Sequence, residues 1–211
     1  MKAVVYHADA PLITSRYPKD TYKNLLIGLR KNCNDFNIPL VHITINGHQG
    51  YGDENIFADA DPDNIVWNRE QFFIEYLENA DPDETYYFTE PDSRINRMFP
   101  PLTTDLAMLY RGTAPRITPA WRLAKTTALP IFKKAFSLYE TSSKHWNTDC
   151  GAWSSMWNVI GEPKSGDIVS YNNLTIELRD YKTYCMRRRS GYVSQFKSNH
   201  KTDLVNQDAN I

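Results

Sequence analysis

YYFTEPD at residues 86–92 is an aromatic, strand-like run that ends in two carboxylates, Glu90 and Asp92, one residue apart. Because residues i and i+2 of a strand face the same side, a strand that continues to Asp92 would point both carboxylates at one spot. Carboxylate oxygens are the ligands that Mg²⁺ and Mn²⁺ prefer, so this strand end is a candidate metal site. The alternative interpretation is a polar turn around Pro91.

Length and composition fit one ordinary domain. The chain has 211 residues, of which 41% are hydrophobic and 13% aromatic, and its formal net charge is -1. This content is sufficient for a hydrophobic core. A nearly neutral chain has no overall attraction for nucleic acid or anionic lipid, so such contacts would need a local patch such as Arg187 to Arg189. The three cysteines are far apart and show no paired ligand spacing, which argues against a CxxC zinc site and against a disulfide framework.

The sequence contains no recognisable targeting or membrane segment. The first apolar run, Val4-Val5-Tyr6, is too short for a signal-peptide core, and no run reaches the length of a membrane span. We therefore expect a cytoplasmic protein with no membrane span. A single domain is expected over residues 1–201, followed by a polar tail at 202–211 with the composition of a flexible segment.

The order of predicted elements indicates an α/β protein. Strands are predicted at 3–6, 39–45, 86–92 and 106–110, with shorter ones at 168–171, 174–178 and 192–196. Helices are predicted from about 18 to 36, from near Asn68, at 129–139 and at 153–160. Asn68 with Gln71 resembles a capping box at the start of the second helix. The initial alternation of strands and helices predicts right-handed parallel crossovers in an open sheet.

Candidate functional residues fall at the predicted carboxyl ends of the strands, where open α/β sheets bind ligands. His7 and Asp9 follow the first strand, Asn46 follows the second, and Glu90 and Asp92 end the third. The chain has no GxGxxG, P-loop or GxSxG motif, which excludes the usual dinucleotide, P-loop nucleotide and serine-hydrolase sites. A nucleotide bound here would need a cation and basic side chains to neutralise its phosphates.

Four blocks, in the same order along the chain, resemble the small GT-A-fold glycosyltransferases, including those common in phage genomes. YYFTEPD at 86–92 is similar to a hydrophobic strand that ends in a DxD-type motif, and TDLAMLYR at 104–111 is similar to the strand block that follows it. HWNTDCGA at 145–152 is similar to a block in which aromatic residues precede Asp-Gln and an apolar helix. VSQFKSNHK at 193–201 is similar to a terminal block of the form His-Phe-Lys-Gly followed by a basic residue.

This resemblance implies a fold and an activity. The expected fold is α/β, a single GT-A-like (nucleotide-diphospho-sugar transferase) domain with an open, mostly parallel Rossmann-like sheet flanked by helices. The expected activity is transfer of a sugar from a nucleotide-sugar donor, assisted by Mn²⁺ or Mg²⁺ at the Glu90-Pro91-Asp92 motif. The acceptor is unknown, and relatives of the phage type suggest a modified DNA base, a glycan or a protein.

The resemblance also implies roles for individual residues. The metal ligands would be Glu90, Asp92 and His200. The nucleotide sugar would be bound by polar, basic and aromatic side chains: His7, Asp9, Arg69, Trp146, Lys197 and Lys201. Asp149 would be the catalytic residue, as general base for an acceptor hydroxyl, and its alternative role is N-cap of the helix that follows.

Departures from the family's pattern keep two other hypotheses open. Cys150 stands in place of Gln, Gln195 in place of a His that can ligate the cation in relatives, and Ser198 in place of Gly. Glu90 keeps the carboxylate of the usual Asp but carries it on a longer side chain. The second hypothesis is a catalytically decayed GT-A-like protein that binds a nucleotide or sugar. The third is a metal-dependent phosphoesterase using Glu90 and Asp92, although such sites usually recruit further carboxylates.

Overall fold

The computed structural model describes residues 1–8, 20–61, 64–113, 116–139, 148–184, 191–195 and 205. Its strands are β1 (Lys2–Tyr6), β2 (Leu40–Ile45), β3 (Glu54–Ala58), β4 (Tyr86–Thr89), β5 (Ser93–Ile95), β6 (Leu106–Tyr110), β7 (Ile117–Ala124), β8 (Ile168–Tyr171), β9 (Leu174–Asp180) and β10 (Val193–Gln195). Its helices are α1 (Thr21–Asp35), α2 (Ile65–Glu78), α3 (Leu129–Ser137), α4 (Thr148–Val159) and α5 (Tyr181–Tyr184). Within these residues, no helix is both long enough and apolar enough to cross a membrane.

The main sheet has eight strands in the order β3-β2-β1-β4-β7-β6-β9-β8, and a small second sheet pairs β5 with β10. Strand β1 is parallel to β2 and β4, β2 is parallel to β3, and β6 is parallel to β9. Strand β7 is antiparallel to both β4 and β6, and β8 is antiparallel to β9. The carboxyl ends of β1, β2, β3, β4, β6 and β9 therefore share one edge of the sheet. This arrangement confirms the predicted open, mostly parallel sheet.

Apolar side chains cover both faces of the main sheet. Phe88 of β4 belongs to the cluster on one face, together with Phe132 of α3 and Trp153 of α4. Its neighbour Tyr87 belongs to the cluster on the other face, together with Leu29 of α1. This alternation follows from the twofold period of a strand, and burial of the two clusters is the main source of stability.

Most elements lie where their sequence patterns predict them, but the strands β3, β5 and β7 and the short helix α5 have no predicted counterpart. Strand β7 contains Pro119 and Arg122, residue types that usually indicate turns or surface, yet every residue of this strand is buried. Strand β3 has no buried residue and lies at the edge of the sheet. Strand β3 therefore lacks the buried apolar face by which a strand is recognised in a sequence, whereas Pro119 and Arg122 interrupt the apolar pattern of β7.

The capping box predicted at Asn68 is wrong. Helix α2 begins at Ile65 with Asn64 as its N-cap, so Asn68 lies inside the helix. Its side-chain amide donates to the Tyr6 hydroxyl (3.2 Å) and to the Asp61 carbonyl (2.7 Å). These bonds connect α2 to the end of β1 and to the loop at Asp61. They explain why a polar side chain is buried at this position.

Two predictions concern parts of the chain outside the described residues. The helix predicted from about residue 18 is described from Thr21, and Pro18 lies outside the described residues. The division between a domain over residues 1–201 and a tail at 202–211 stays a prediction, because only Val205 is described beyond Gln195.

A buried ion pair crosses the core between β7 and α2. Arg122 is completely buried and donates from Nη1 to Glu70 Oε2 (2.7 Å) and from Nη2 to Glu70 Oε1 (3.1 Å). Trp153 Nε1 donates to the same carboxylate (3.1 Å). The guanidinium carbon also lies 5.0 to 5.9 Å from the centroids of surrounding aromatic rings, which are those of Phe73, Phe88, Phe132 and Trp153.

This arrangement keeps Glu70 ionised. Burial alone would raise the pKa of Glu70, but the charges of Arg122 and Arg69 outweigh burial and hold the pKa below its ordinary value. A carboxylate with a depressed folded pKa stabilises the fold above its unfolded pKa. That contribution is lost as the pH falls through the folded pKa.

Glu70→Gln is expected to lower the free energy of unfolding by about 3–5 kcal/mol at neutral pH, because it leaves the buried charge of Arg122 uncompensated. Urea denaturation followed by circular dichroism measures this loss. Glu75→Gln, on the exposed face of the same helix, should change the free energy of unfolding by less than about 0.5 kcal/mol. The Glu70 variant should also lose less stability on acidification than the wild type. Equal free energies of unfolding for Glu70→Gln and Glu75→Gln at neutral pH would contradict this role of the ion pair.

Candidate functional site

The Glu90-Pro91-Asp92 segment is a turn at the carboxyl edge of the sheet. Strand β4 ends at Thr89, and the Ser93 N–H donates to the Glu90 carbonyl (3.1 Å) where β5 begins. The prediction that the strand continues to Asp92 is therefore wrong, because Pro91 has no N–H with which to extend the ladder. The polar-turn alternative is confirmed for the backbone. Asp92 is buried in this turn and Glu90 is half-buried.

One guanidinium group joins three elements at this edge. Arg69 of α2 donates from Nη1 to Glu90 Oε1 (2.8 Å) and from Nη2 to Asp149 Oδ2 of α4. Its Nε lies 3.5 Å from Glu70 Oε1. Burial alone would lower the pKa of Arg69, but the three carboxylates, led by that of Asp149, outweigh it and raise the pKa. Arg69 is therefore a fixed, buried positive charge.

Asp149 is held inside the first turn of α4. The helix is described from Thr148, so the interpretation of Asp149 as N-cap is wrong, although its Oδ1 accepts from the Cys150 N–H (2.7 Å). Burial raises the pKa of the Asp149 carboxyl. Arg69 opposes this rise, and the nearby negative charge of Glu70 adds to it. A buried carboxyl with a raised pKa at a ligand-binding edge is suited to proton transfer.

Gln195 reaches Glu90 through the small sheet. Strands β5 and β10 are antiparallel, with Gln195 opposite Ser93, and this register carries Gln195 to the turn after β4. The Gln195 Nε2 donates to Glu90 Oε2. The two oxygens of Glu90 therefore accept hydrogen bonds from different side chains, Oε1 from Arg69 and Oε2 from Gln195.

A cavity of about 300 Å³ lies beyond the carboxyl ends of β1 and β2. His7, the residue after β1, contributes to its wall, and the His7 ring stacks on Tyr22 with centroids 4.3 Å apart. The full lining consists of His7, Lys23, Leu26, His42, Thr44, Gly47, His48, Gln49 and Tyr51. Histidine, lysine, amide and hydroxyl groups give this cavity several hydrogen-bonding partners for a ligand.

His42 has a structural role at the base of the cavity. Its Nδ1 accepts from the Tyr51 N–H (3.1 Å), and its Nε2 lies 3.2 Å from the His7 carbonyl oxygen. An acceptor at Nδ1 and a donor at Nε2 define the neutral tautomer with the proton on Nε2. The ring thus fixes the backbone at His7 and the loop at Tyr51.

The predicted metal ligands do not form an open site among the described residues. No group of three or more His, Cys, Asp or Glu side chains in that part of the chain is arranged to hold a metal ion. Both oxygens of Glu90 face nitrogen donors, those of Arg69 and Gln195. His200, the third predicted ligand, lies outside the described residues. The contacts of Glu90 therefore do not fit Mn²⁺ or Mg²⁺ at this side chain, and cation binding by the motif as a whole stays a prediction.

Five predicted site residues are described. The structure brings Arg69, Glu90 and Asp149 into one cluster, places Asp92 in the adjoining turn, and places His7 at the cavity. The other predicted site residues lie outside the described residues: Asp9, Trp146, Lys197, His200 and Lys201.

Glu70 and Gln195 belong to the cluster without having been predicted as site residues. Glu70 has a recognisable signal, because helical spacing puts Arg69 and Glu70 on the same stripe as Val66 and Phe73, which are buried. Charged residues on the buried stripe of a helix indicate a buried polar network. Gln195 has no comparable signal, since its contact with Glu90 spans 105 positions of the chain.

Comparison with known proteins finds similarity in structure but none in sequence. No family model and no curated protein matches the chain. The chain is similar to the crystal structure of a glycosyltransferase involved in glycosylation of the major capsid of PBCV-1, with 8% identity and a TM-score of 0.59. That match covers 99% of this chain and 100% of the other.

Two further solved structures match over nearly the whole chain. The galactosyltransferase LgtC, in complex with donor and acceptor sugar analogs, has 9% identity and a TM-score of 0.53, covering 98% of this chain and 96% of its own. The inositol-1-phosphate CTP transferase from T. maritima has 12% identity and a TM-score of 0.50, and the match covers 98% of this chain and 95% of the transferase. At such identities the likeness concerns the fold alone, and it confirms the predicted fold: the chain is a GT-A-type α/β domain.

Proposed function

We propose that this protein is a nucleotide-sugar-dependent glycosyltransferase. The observation that carries the proposal is the cluster of Arg69, Glu90 and Asp149, which three separate elements bring to the carboxyl edge of a GT-A-type sheet. Ligands of open α/β sheets bind at that edge. The glycosyltransferase and nucleotidyltransferase folds of the structural neighbours support the same class of substrate.

In this proposal the nucleoside part of the donor occupies the cavity beside His7. A volume of about 300 Å³ is at the small end of the range for ligand sites and suits one nucleoside. The exposed side of the cavity offers the imidazole of His48 and the amide of Gln49, and Thr44 adds a hydroxyl group. These groups can pair with the polar edge of a base, while the apolar part of Leu26 packs against its ring.

The sugar is transferred next to Asp149. An acceptor hydroxyl would attack the anomeric carbon, the bond from that carbon to the diphosphate oxygen would break, and the hydroxyl proton would pass to the Asp149 carboxylate. Arg69 would hold this carboxylate in position without taking the proton, because its own pKa is raised. The raised pKa of Asp149 brings a carboxylate closer to the range in which general bases work.

A second candidate function is nucleotide or sugar binding without catalysis. The observation that favours it is the engagement of both Glu90 oxygens by Arg69 and Gln195, together with Cys150 in place of the usual Gln. The identity of the acceptor stays a prediction, as a modified DNA base, a glycan or a protein. The first experiment below separates the two candidate functions.

Asp149→Asn is expected to slow the release of nucleoside diphosphate from a sugar nucleotide by about 10²–10⁴-fold, the usual contribution of a general base. Product release from a panel of sugar nucleotides, with water as acceptor, measures this rate. Asp83→Asn, an exposed carboxylate before β4 at the opposite edge of the sheet, is the matched control and should retain the wild-type rate. Wild-type protein that binds nucleoside diphosphates but hydrolyses no sugar nucleotide would favour the binding function instead.

His48→Ala is expected to weaken binding of a nucleoside diphosphate by about 0.5–1.5 kcal/mol, the net contribution of a typical hydrogen bond. Isothermal titration calorimetry with the best-bound diphosphate of the panel gives this difference. Asn46→Ala changes an exposed side chain of the same loop that does not line the cavity, and it should leave the affinity unchanged. Equal losses in both variants would indicate a general effect on the loop and would contradict the proposed nucleoside position.

A further inference from the structure

We infer that Arg69 takes the place of a divalent cation at Glu90, so that a nucleoside diphosphate binds at this edge without Mg²⁺ or Mn²⁺. The inference rests on the proposed function for the identity of the ligand. Exclusion of the cation, however, depends only on the contacts of Glu90 and its neighbours, and cation binding can be measured without any nucleotide.

The contacts of Glu90 leave a metal ion in an unfavourable position. Glu90 Oε1 lies 2.8 Å from Arg69 Nη1, and Oε2 accepts from Gln195 Nε2. A carboxylate oxygen has lone pairs for more than one partner, but an ion bound to it would lie against the guanidinium charge. Repulsion between two cations at contact distance is strong where water is largely excluded.

Arg69 cannot easily turn away to admit an ion. Its side chain is 10% exposed, and its other nitrogens face Asp149 and Glu70. Rotation toward solvent would break the contact with Asp149 at the same time and leave that buried carboxylate without its positive partner. The guanidinium is therefore held in the cluster by Asp149 and Glu70 as well as by Glu90.

A second buried guanidinium, that of Arg94 in β5, lies at the turn after β4, two residues after Asp92. The guanidinium of Arg94, a side chain that is 6% exposed, donates to the Pro91 carbonyl (3.0 Å) and to the Leu25 carbonyl of α1 (3.0 Å). Both carboxylates of the predicted metal motif thus lie in turns or clusters that already contain a guanidinium. A cation site normally presents its carboxylates to the ion and away from such charges.

Without an ion, the charge of the diphosphate must be neutralised by basic side chains. The terminal block predicted to contact the donor carries Lys197 and Lys201, which lie outside the described residues. Arg69 would thus occupy the position of the cation at Glu90, and the predicted donor-binding lysines would neutralise the diphosphate. Donor binding should consequently weaken as ionic strength rises, whether or not a divalent cation is present.

The first test compares nucleotide binding with and without a divalent cation. Thermal unfolding is followed for wild-type protein with UDP, CDP, GDP or ADP, each in EDTA and in MnCl₂. We expect at least one diphosphate to raise the melting temperature equally in both conditions. A rise that occurs only with Mn²⁺, and disappears in Asp92→Asn, would overturn the inference while leaving the proposed function intact.

The second test measures cation binding directly, by the electron paramagnetic resonance signal of free Mn²⁺ during titration of wild-type protein without nucleotide. We expect no loss of free Mn²⁺. Stoichiometric loss that Asp92→Asn abolishes would overturn the inference. If no diphosphate changes the melting temperature in either condition, the proposed function fails, and this titration still decides whether the carboxylates bind a cation.

A charge-removing variant identifies the residue that keeps the cation out. Arg69→Met, folded as judged by circular dichroism, is expected to gain Mn²⁺ binding, and Arg69→Met with Glu90→Gln is expected to lose it again. The matched control is Arg30→Met. This change removes a guanidinium on the surface of α1 that lies 2.8 Å from Asp53 Oδ1, and it should not create Mn²⁺ binding. A folded Arg69→Met protein that binds no Mn²⁺ would contradict the role of Arg69. If this variant does not fold, the two wild-type tests decide.

Discussion

The arrangement of this site depends on one buried guanidinium, that of Arg69. It lies among three carboxylates, those of Glu70, Glu90 and Asp149, and these come from α2, from the turn after β4 and from α4. A buried charge must be compensated by partners with good geometry, because desolvation of an ion costs several kcal/mol. The positions of α4 and of the β4–β5 turn relative to α2 are therefore linked through this single side chain. A change at any one of the three carboxylates therefore alters the electrostatic environment of the other two.

The second buried guanidinium supports the first. Arg122 binds Glu70 with both of its terminal nitrogens, and Glu70 then faces Arg69 with a fixed orientation. Aromatic rings surround Arg122 and exclude water, which strengthens each of these interactions. The core of the domain and its candidate site are thus one continuous polar network.

The sequence is a good guide to elements with apolar periodicity and a poor one to contacts that tertiary structure creates. Strands β1 and β2 are recognisable because nearly every residue is apolar or β-branched and buried on both faces. Strand β7 is not recognisable, because an arginine such as Arg122 usually indicates the protein surface. Its buried partner Glu70 is not evident from the sequence. Arg69 and Asp149 can be proposed as site residues separately, but their contact spans 80 positions. No local pattern encodes such a pairing, nor that of Gln195 with Glu90.

Burial and the charge of Arg69 act in opposite directions on Asp149. Because burial raises its folded pKa, the fold prefers the protonated carboxyl, and ionised Asp149 lowers stability at pH values above its unfolded pKa. The charge of Arg69 acts in the opposite direction, because a neutral side chain at this position would leave the buried guanidinium with less compensation. Glu90 is different, since Arg69 and Gln195 satisfy its carboxylate. The two carboxylates that share the charge of Arg69 therefore differ: burial opposes ionisation of Asp149, whereas both oxygens of Glu90 accept hydrogen bonds.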